Sequence, residues 1–260
     1  MKNLISAGEL AKLACTTKRT ILFYDEKGVL KPQCISKNKY RFYSQRQVLD
    51  YQMILLLRTL GISLSEIKRK GNLVELFNKK KPLIEKEISL LQFNLSNLGC
   101  FLTNLKTNQT MISPQIKILK PFGVYYVGKV GAYSQIDQFC RELLSMFKTN
   151  KKLITMAIFE QQGYRPKKSR IKIGVLARKG MSVKEEYEKI VKYIKFDPGK
   201  VMTYTHNGSG SLLSLFWKEL EKYCRLKHIK IRKDAPDFEI YRQVNQDITK
   251  QFFEIYLPIK

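Results

Sequence analysis

The sequence predicts an α+β protein in three parts: a front domain of short helices with a β-wing, one long helix, and a back domain built from a duplicated αβ unit. Three observations predict it. Residues 1–80 break into short capped helices. Ile84, Ile88, Leu91, Leu95, Leu98, Leu102 and Leu105 repeat at spacings of 4 and 3. Gly131–Leu143 aligns with Gly208–Leu220 further down the chain. A chain of 260 residues suits two domains, or one domain plus a shorter module.

Ser6 with Glu9 three residues on is a capping box, and Leu10, Leu13 and Ala14 give the first helix one apolar face. After a turn at Cys15 and Thr16, Thr17 caps a second helix that carries Lys18, Arg19, Ile21, Leu22 and Tyr24 and closes at Gly28. Two short helices around a tight turn, the second basic and hydroxyl-bearing at its start, follow the helix-turn-helix plan. Tyr40–Tyr43 alternates like a short β-wing lined by Lys37, Lys39 and Arg41. A third helix opens at Ser44 with Val48, Leu49, Met53, Ile54, Leu56 and Leu57 on its apolar side. A fourth opens at Ser63 or Ser65, turning Leu64 and Ile67 inward and Lys68, Arg69 and Lys70 outward.

The heptad seam begins after Pro82 and presents one apolar stripe, which needs a partner because an isolated helix of about 25 residues is marginal in water. That partner is either the back domain or the same helix of a second subunit. Thr107–Gln115 reads as a linker. Strands are expected at Phe122–Lys129, Leu153–Phe159, Ile171–Leu176 and Lys200–His206, with each repeat forming a strand, a glycine turn and a helix. Such a duplication commonly builds one sheet with a cleft on its pseudo-twofold axis. The domains are 1–75, 76–110 and 111–260.

Composition narrows the function. With 44% hydrophobic and 27% charged residues the chain is globular, and 48 Lys plus Arg against 22 Asp plus Glu give a net charge of +26 that attracts polyanions. The longest aliphatic run, Ile54–Leu57, is too short to cross a bilayer, and Glu9 interrupts the front where a signal peptide needs an apolar run. No membrane partner and a cytoplasmic location are expected. Five scattered cysteines and two histidines form no metal-ligand spacing, so neither metal nor cofactor is expected.

ISAGELAKLACTTKRTILFYDEKGVLKP, then NKYRFYS, then LLLRTLGISLSEIK, in that order, resembles the MerR-type transcription regulators over roughly residues 4 to 70. The resemblance implies a winged helix-turn-helix followed by a long helix that forms an antiparallel coiled coil in a homodimer. It further implies promoter DNA and RNA polymerase as partners, with activation by distortion of an over-long promoter spacer. The residues it marks for DNA are Thr17, Lys18, Arg19, Tyr24, Tyr40 and Arg41, and Lys39 joins them as a cation lining the wing. Leu22 and Phe23 stand where the family usually has Arg and Tyr, and Lys39 stands where it has Gly. Contacts of that arginine therefore do not carry over.

The back domain resembles, through its duplication, His206–Gly208, Pro236–Tyr241 and Phe253–Pro258, the GyrI-like effector-binding domains fused to MerR-type multidrug regulators. That resemblance implies a small-molecule effector, lipophilic or cationic, held between the halves by aromatic walls and a glutamate. Glu239 with Tyr241, and Glu254 with Tyr256, each share a strand face. Tyr125, Tyr126, Tyr164, Tyr204 and Trp217 are further cage candidates. A carboxylate among aromatic rings attracts a cation by charge and by ring quadrupoles. Two other readings stay open: a GyrI-like hydrolase using Glu239 as general base, and a regulator with no small-molecule ligand.

Overall fold

A computed structural model describes residues 4–69, 72–149, 152–161, 166–244 and 246–260; the expected contributions of Lys70 and Tyr164 lie outside the described residues. The chain divides into two compact units, Met1–Leu91 and Gln92–Lys260.

The front unit opens with β1 (Leu4–Ser6), whose last residue caps α1 (Ala7–Leu13). Ser6 N–H donates to Glu9 Oε2 at 2.7 Å, and Glu9 N–H donates back to Ser6 Oγ at 3.2 Å. Cys15 takes a left-handed φ of +51° in the turn to α2 (Lys18–Glu26). Next come β2 (Cys34–Ile35), β3 (Arg41–Ser44), α3 (Gln47–Thr59) and α4 (Leu64–Lys68), which Ser63 and Glu66 cap reciprocally. Strand β3 lies between β1 and β2. Leu10, Ile21, Leu30 and Tyr43 form the centre of the core.

Several expectations shift here. Leu13 is exposed while Ala7 and Ala11 are buried, so the first helix turns its small residues inward. Helix α3 starts at Gln47 instead of Ser44. It buries Tyr51, Ile54 and Leu57, leaving Leu49, Met53 and Leu56 exposed. A thin domain needs one stripe per helix, and apolar residues beside that stripe stay in water.

Helix α5 (Leu73–Asn108) begins ahead of Pro82 and contains it. Proline removes one helical donor, which leaves the carbonyl of Asn78 without its partner, and Asn78 is exposed to water. The helix absorbs the start of the expected linker. Among its seam residues Ile88, Leu91, Leu95, Leu98, Leu102 and Leu105 are exposed. No helix among the described residues is long and apolar enough to cross a membrane.

The back unit runs β4 (Gln115–Leu119), β5 (Phe122–Gly131), α6 (Ile136–Ser145), β6 (Phe147–Lys148), β7 (Thr155–Phe159), β8 (Ser169–Leu176), β9 (Ser182–Val183), β10 (Lys192–Phe196), β11 (Gly199–Asn207), α7 (Leu213–Leu226), β12 (Asp237–Gln243) and β13 (Phe252–Pro258). Eight strands make one antiparallel sheet in the order β10-β5-β8-β7-β12-β13-β11-β4, with β6 and β9 paired separately. The duplication keeps a constant offset through the helices: the 3-10 turn Tyr133–Gln135 and α6 recur as Gly210–Leu212 and α7. The first strand of each half crosses over, so β4 pairs with β11 and β10 with β5.

Both helices cover one face, where Phe139, Leu143, Phe216 and Leu220 meet Ile173, Val175, Ile255 and Leu257. The other face holds a second core of Val124, Met156, Phe196, Phe238 and Tyr256. Phe196 of edge strand β10 touches Phe238 of central β12 with ring centroids 5.1 Å apart, so the sheet curls over on itself.

Candidate functional site

The first candidate lies on the front unit. Thr17 caps α2 by accepting from Thr20 N–H at 3.1 Å, and Lys18 and Arg19 stand exposed on the first turn. Tyr24 is half-buried with its ring 5.9 Å from that of Tyr51. At the wing tip Lys39 takes φ +60°, a conformation that favours glycine, and Tyr40 is 65% exposed. Arg41 is ion-paired with Asp25 of α2, so it ties the wing to that helix. A helix start bearing cations and hydroxyls beside an exposed wing is the geometry that contacts phosphates and groove edges.

The second candidate is a cavity of about 640 Å³ within the back unit. Both halves line it with equivalent residues: Ser134 and Ser211, Ile136 and Leu213, Asp137 and Ser214. Tyr133, Phe159, Tyr241 and Phe253 supply aromatic walls. Glu239, only 5% exposed, accepts from Trp217 Nε1–H at 2.5 Å and from the Tyr241 hydroxyl at 2.6 Å. Burial raises its carboxyl above the ordinary range, and the two donated bonds pull the other way. Burial also pushes the nearby Cys140 thiol up to about 12, which keeps it protonated and unreactive.

The duplication breaks where the chemistry sits. Met156 pairs with Gly174 in the first half and Phe238 pairs with Tyr256 in the second, so Ala157 is the counterpart of Glu239. These two counterparts lie directly opposite each other across β7 and β12. Trp217 likewise corresponds to Cys140. The cavity lining therefore carries one buried carboxylate with no counterpart in the first half, and Cys140 lines it at the position equivalent to Trp217, whose indole donates to Glu239.

The structure brings together Glu239, Tyr241 and Trp217. It does not bring in Glu254 and Tyr256. Glu239 pairs with Ile255, which turns the neighbouring Glu254 and Tyr256 to the opposite face. There Glu254 bonds Arg242 at 2.6 Å and Tyr256 stacks on Phe238 at 4.6 Å. Tyr125 packs against Phe147 and Tyr193, and Tyr204 against Phe216, away from the cavity lining. Tyr126 lies beneath the Lys172 ammonium. Sequence reasoning missed Thr155 and Phe159 of β7 and Gln251, whereas Tyr133 and Ser134 stood inside the visible repeat. Among the described residues no group of three or more His, Cys, Asp or Glu is placed to hold a metal ion.

Asp237 begins the same strand. Burial pushes its carboxyl up to about 7, with repulsion from Glu221 adding to the effect, and its Oδ1 is buried without a partner among the described residues. A carboxyl raised in the folded state loses stability as pH climbs from its ordinary value near 4 through about 7. Asp237→Asn is expected to stabilise the protein at pH 8 by on the order of 3 kcal/mol and by little at pH 4. Urea unfolding at the two pH values checks this, and an equal shift at both would remove the charge from the explanation.

The fold and these two sites define a winged helix-turn-helix protein with a separate, cavity-bearing αβ domain. The chain belongs to the MerR family: residues 5–70 match the family described as "MerR HTH family regulatory protein". It is 35% identical over 98 residues to the multidrug-efflux transporter 2 regulator of Bacillus subtilis, a match covering 35% of this chain and 36% of that protein. The chain thus spans little more than a third of that relative's length. The HTH-type transcriptional regulator CueR of Salmonella typhi is 34% identical over 102 residues, covering 34% of this chain and 72% of CueR. The cryo-EM structure of the EcmrR–DNA complex in EcmrR-RPo aligns over 98% of this chain and 99% of that one, at 18% identity and a TM-score of 0.49.

Proposed function

We propose that the protein is a homodimeric transcription regulator that grips promoter DNA with its winged helices and binds a small lipophilic cation in a GyrI-like back domain. The observation that carries this reading is the buried Glu239 carboxylate in an aromatic cavity, on a chain that also holds a MerR winged helix-turn-helix. Burying a carboxylate away from water is expensive unless a partner compensates it. Two neutral donors satisfy its hydrogen bonds and leave its charge for a ligand. The exposed seam of α5 supports pairing with the same helix of a second subunit.

Thr17, Lys18, Arg19, Lys39 and Tyr40 are the residues proposed to meet DNA. Two such units bound across a promoter bend or untwist the spacer, and RNA polymerase then engages both promoter elements. The effector acts by preferring the distorting conformation, since equal affinity for both states shifts nothing. Transcription from fragments that the purified protein selects from its own genome tests this. A lipophilic cation is expected to raise RNA polymerase output from them, and selected fragments that lack promoters would refute the reading.

Arg41 serves the same interface indirectly. Because Asp25 offsets its charge, Arg41→Ala is expected to weaken binding at all sequences while changing the salt slope by well under one unit. Lys18→Ala or Arg19→Ala is expected to change it by about one. Filter binding across a salt series distinguishes them, and a full unit lost at Arg41 would make it a phosphate contact after all.

A further inference from the structure

The two halves of the back domain differ in the length of the helix and in the connection that follows it. Phe139 corresponds to Phe216 and Ala157 to Glu239, and the step from the first landmark to the second is longer by five residues in the second half. Four of the five extra residues lengthen α7, which has 14 residues against 10 in α6; the fifth lies in the connection from α7 to β12, Lys227-His-Ile-Lys-Ile-Arg-Lys-Asp-Ala-Pro236. It is ordered by the fold: Ile229 and Ile231 pack on the helix-side core and Ile231 bridges to Ile259. Lys260 N–H donates to Lys230 O at 2.9 Å, and Arg232 N–H donates to Pro258 O at 2.9 Å.

With the isoleucines turned inward, the cations alternate outward. Arg225, Lys230, Lys233 and Lys260 line a cleft of about 650 Å³ over an apolar floor of Ile229, Ile231 and buried Cys224. Among the described residues no Asp or Glu side chain lies within ion-pair distance of those four cations, and Asp234 at the cleft is engaged by Arg232 at 3.4 Å. In the first half, Lys148, which follows α6 in strand β6, is paired with Glu185. The fold thus repeats without this cluster, and one cation at the end of α7 would already complement the helix dipole.

We propose that the α7–β12 cleft is a binding site for phosphate groups, formed by Arg225, Lys230, Lys233 and Lys260. Four cations outnumber the single side-chain carboxylate of Asp234 in the cleft lining and concentrate positive potential there, and both fork-shaped guanidinium and compact ammonium groups suit phosphate oxygens. Phosphate of this kind reaches the site either as the backbone of duplex DNA or as a free polyphosphate. The site is independent of the Glu239 cavity, so it stands or falls without the cationic effector.

The test uses the full-length protein and two variants of equal charge: Lys230→Gln/Lys233→Gln in the cleft, and Lys167→Gln/Lys168→Gln at exposed positions elsewhere. One arm titrates inorganic tripolyphosphate by calorimetry. The other measures the salt dependence of binding to a non-operator duplex. For a free polyphosphate, the cleft variant is expected to lose at least tenfold in tripolyphosphate affinity while the control keeps it. For DNA, the cleft variant is expected to lower the salt slope by about two units relative to the control. A loss confined to the cleft variant in either arm supports the site and identifies the source. Equal behaviour of the two variants in both arms overturns it and assigns the effect to bulk charge.

Discussion

Glu239→Gln is expected to abolish tight binding of lipophilic cations while leaving neutral aromatic compounds of similar shape nearly unaffected. Glutamine keeps the shape of the side chain and an acceptor for Trp217, deletes the charge, and reverses one bond, since its amide nitrogen donates to the Tyr241 hydroxyl where the carboxylate accepted. Removing one partner of a buried ion pair typically costs about 3 to 5 kcal/mol, or on the order of a hundredfold or more in affinity. An exposed pair would lose under about 1 kcal/mol. Calorimetry with one cationic and one neutral compound, on wild type and variant, gives the comparison. Equal losses for both, or none for either, would exclude Glu239 as the charge sensor. Glu254 offers no fallback, since its carboxylate lies on the other sheet face against Arg242.

Leu95→Asp is expected to convert the dimer into a folded monomer. Leu95 is 71% exposed within the protomer, so the substitution leaves the fold of the single chain intact. In the proposed dimer it would bury an unpaired charge at mid-seam in both subunits, at several kcal/mol each, which amounts to a loss of at least a thousandfold in association. Sedimentation should show monomer at concentrations where the wild type is dimeric, and circular dichroism should show unchanged helix content. A variant that stays a folded dimer would move the contact to another surface.

Much of the front domain is legible in the sequence because its signals are local. Capping boxes at Ser6 and Ser63 and the Thr17 cap need only neighbours three residues away. Strand β1 is not legible, since three residues become a strand only by pairing with distant β3. The early start of α5 is hidden by Pro82, which reads as a boundary yet is tolerated where its orphaned carbonyl meets water.

In the back domain the repeat is visible because the turn and the first ten residues of the helix keep a constant offset. The equivalence of Ala157 and Glu239 is invisible because five extra residues, four of them at the end of α7 and one after it, change the offset of the strand that follows. Alternation along a strand identifies Glu239 with Tyr241 and Glu254 with Tyr256 equally well. Which pair faces the cavity depends on the register between β12 and β13, a non-local fact that a period of two cannot supply. The missed wall residues on β7 have the same origin.

The crossing of first strands between halves governs how this domain comes into being on the ribosome. Among the described residues strand β4 has no sheet neighbour except β11, and β5 takes its outer neighbour from β10. When the first half has been synthesised, Ile116 and Ile118 still await the strand that begins at Gly199. Neither half can close as an independent module, because each lends the other an edge. The nascent first half therefore carries an unsatisfied β edge until β11 has left the ribosome. Lys117 within that strand and Lys120 just after it put on the edge the kind of charge that disfavours pairing with a neighbouring chain.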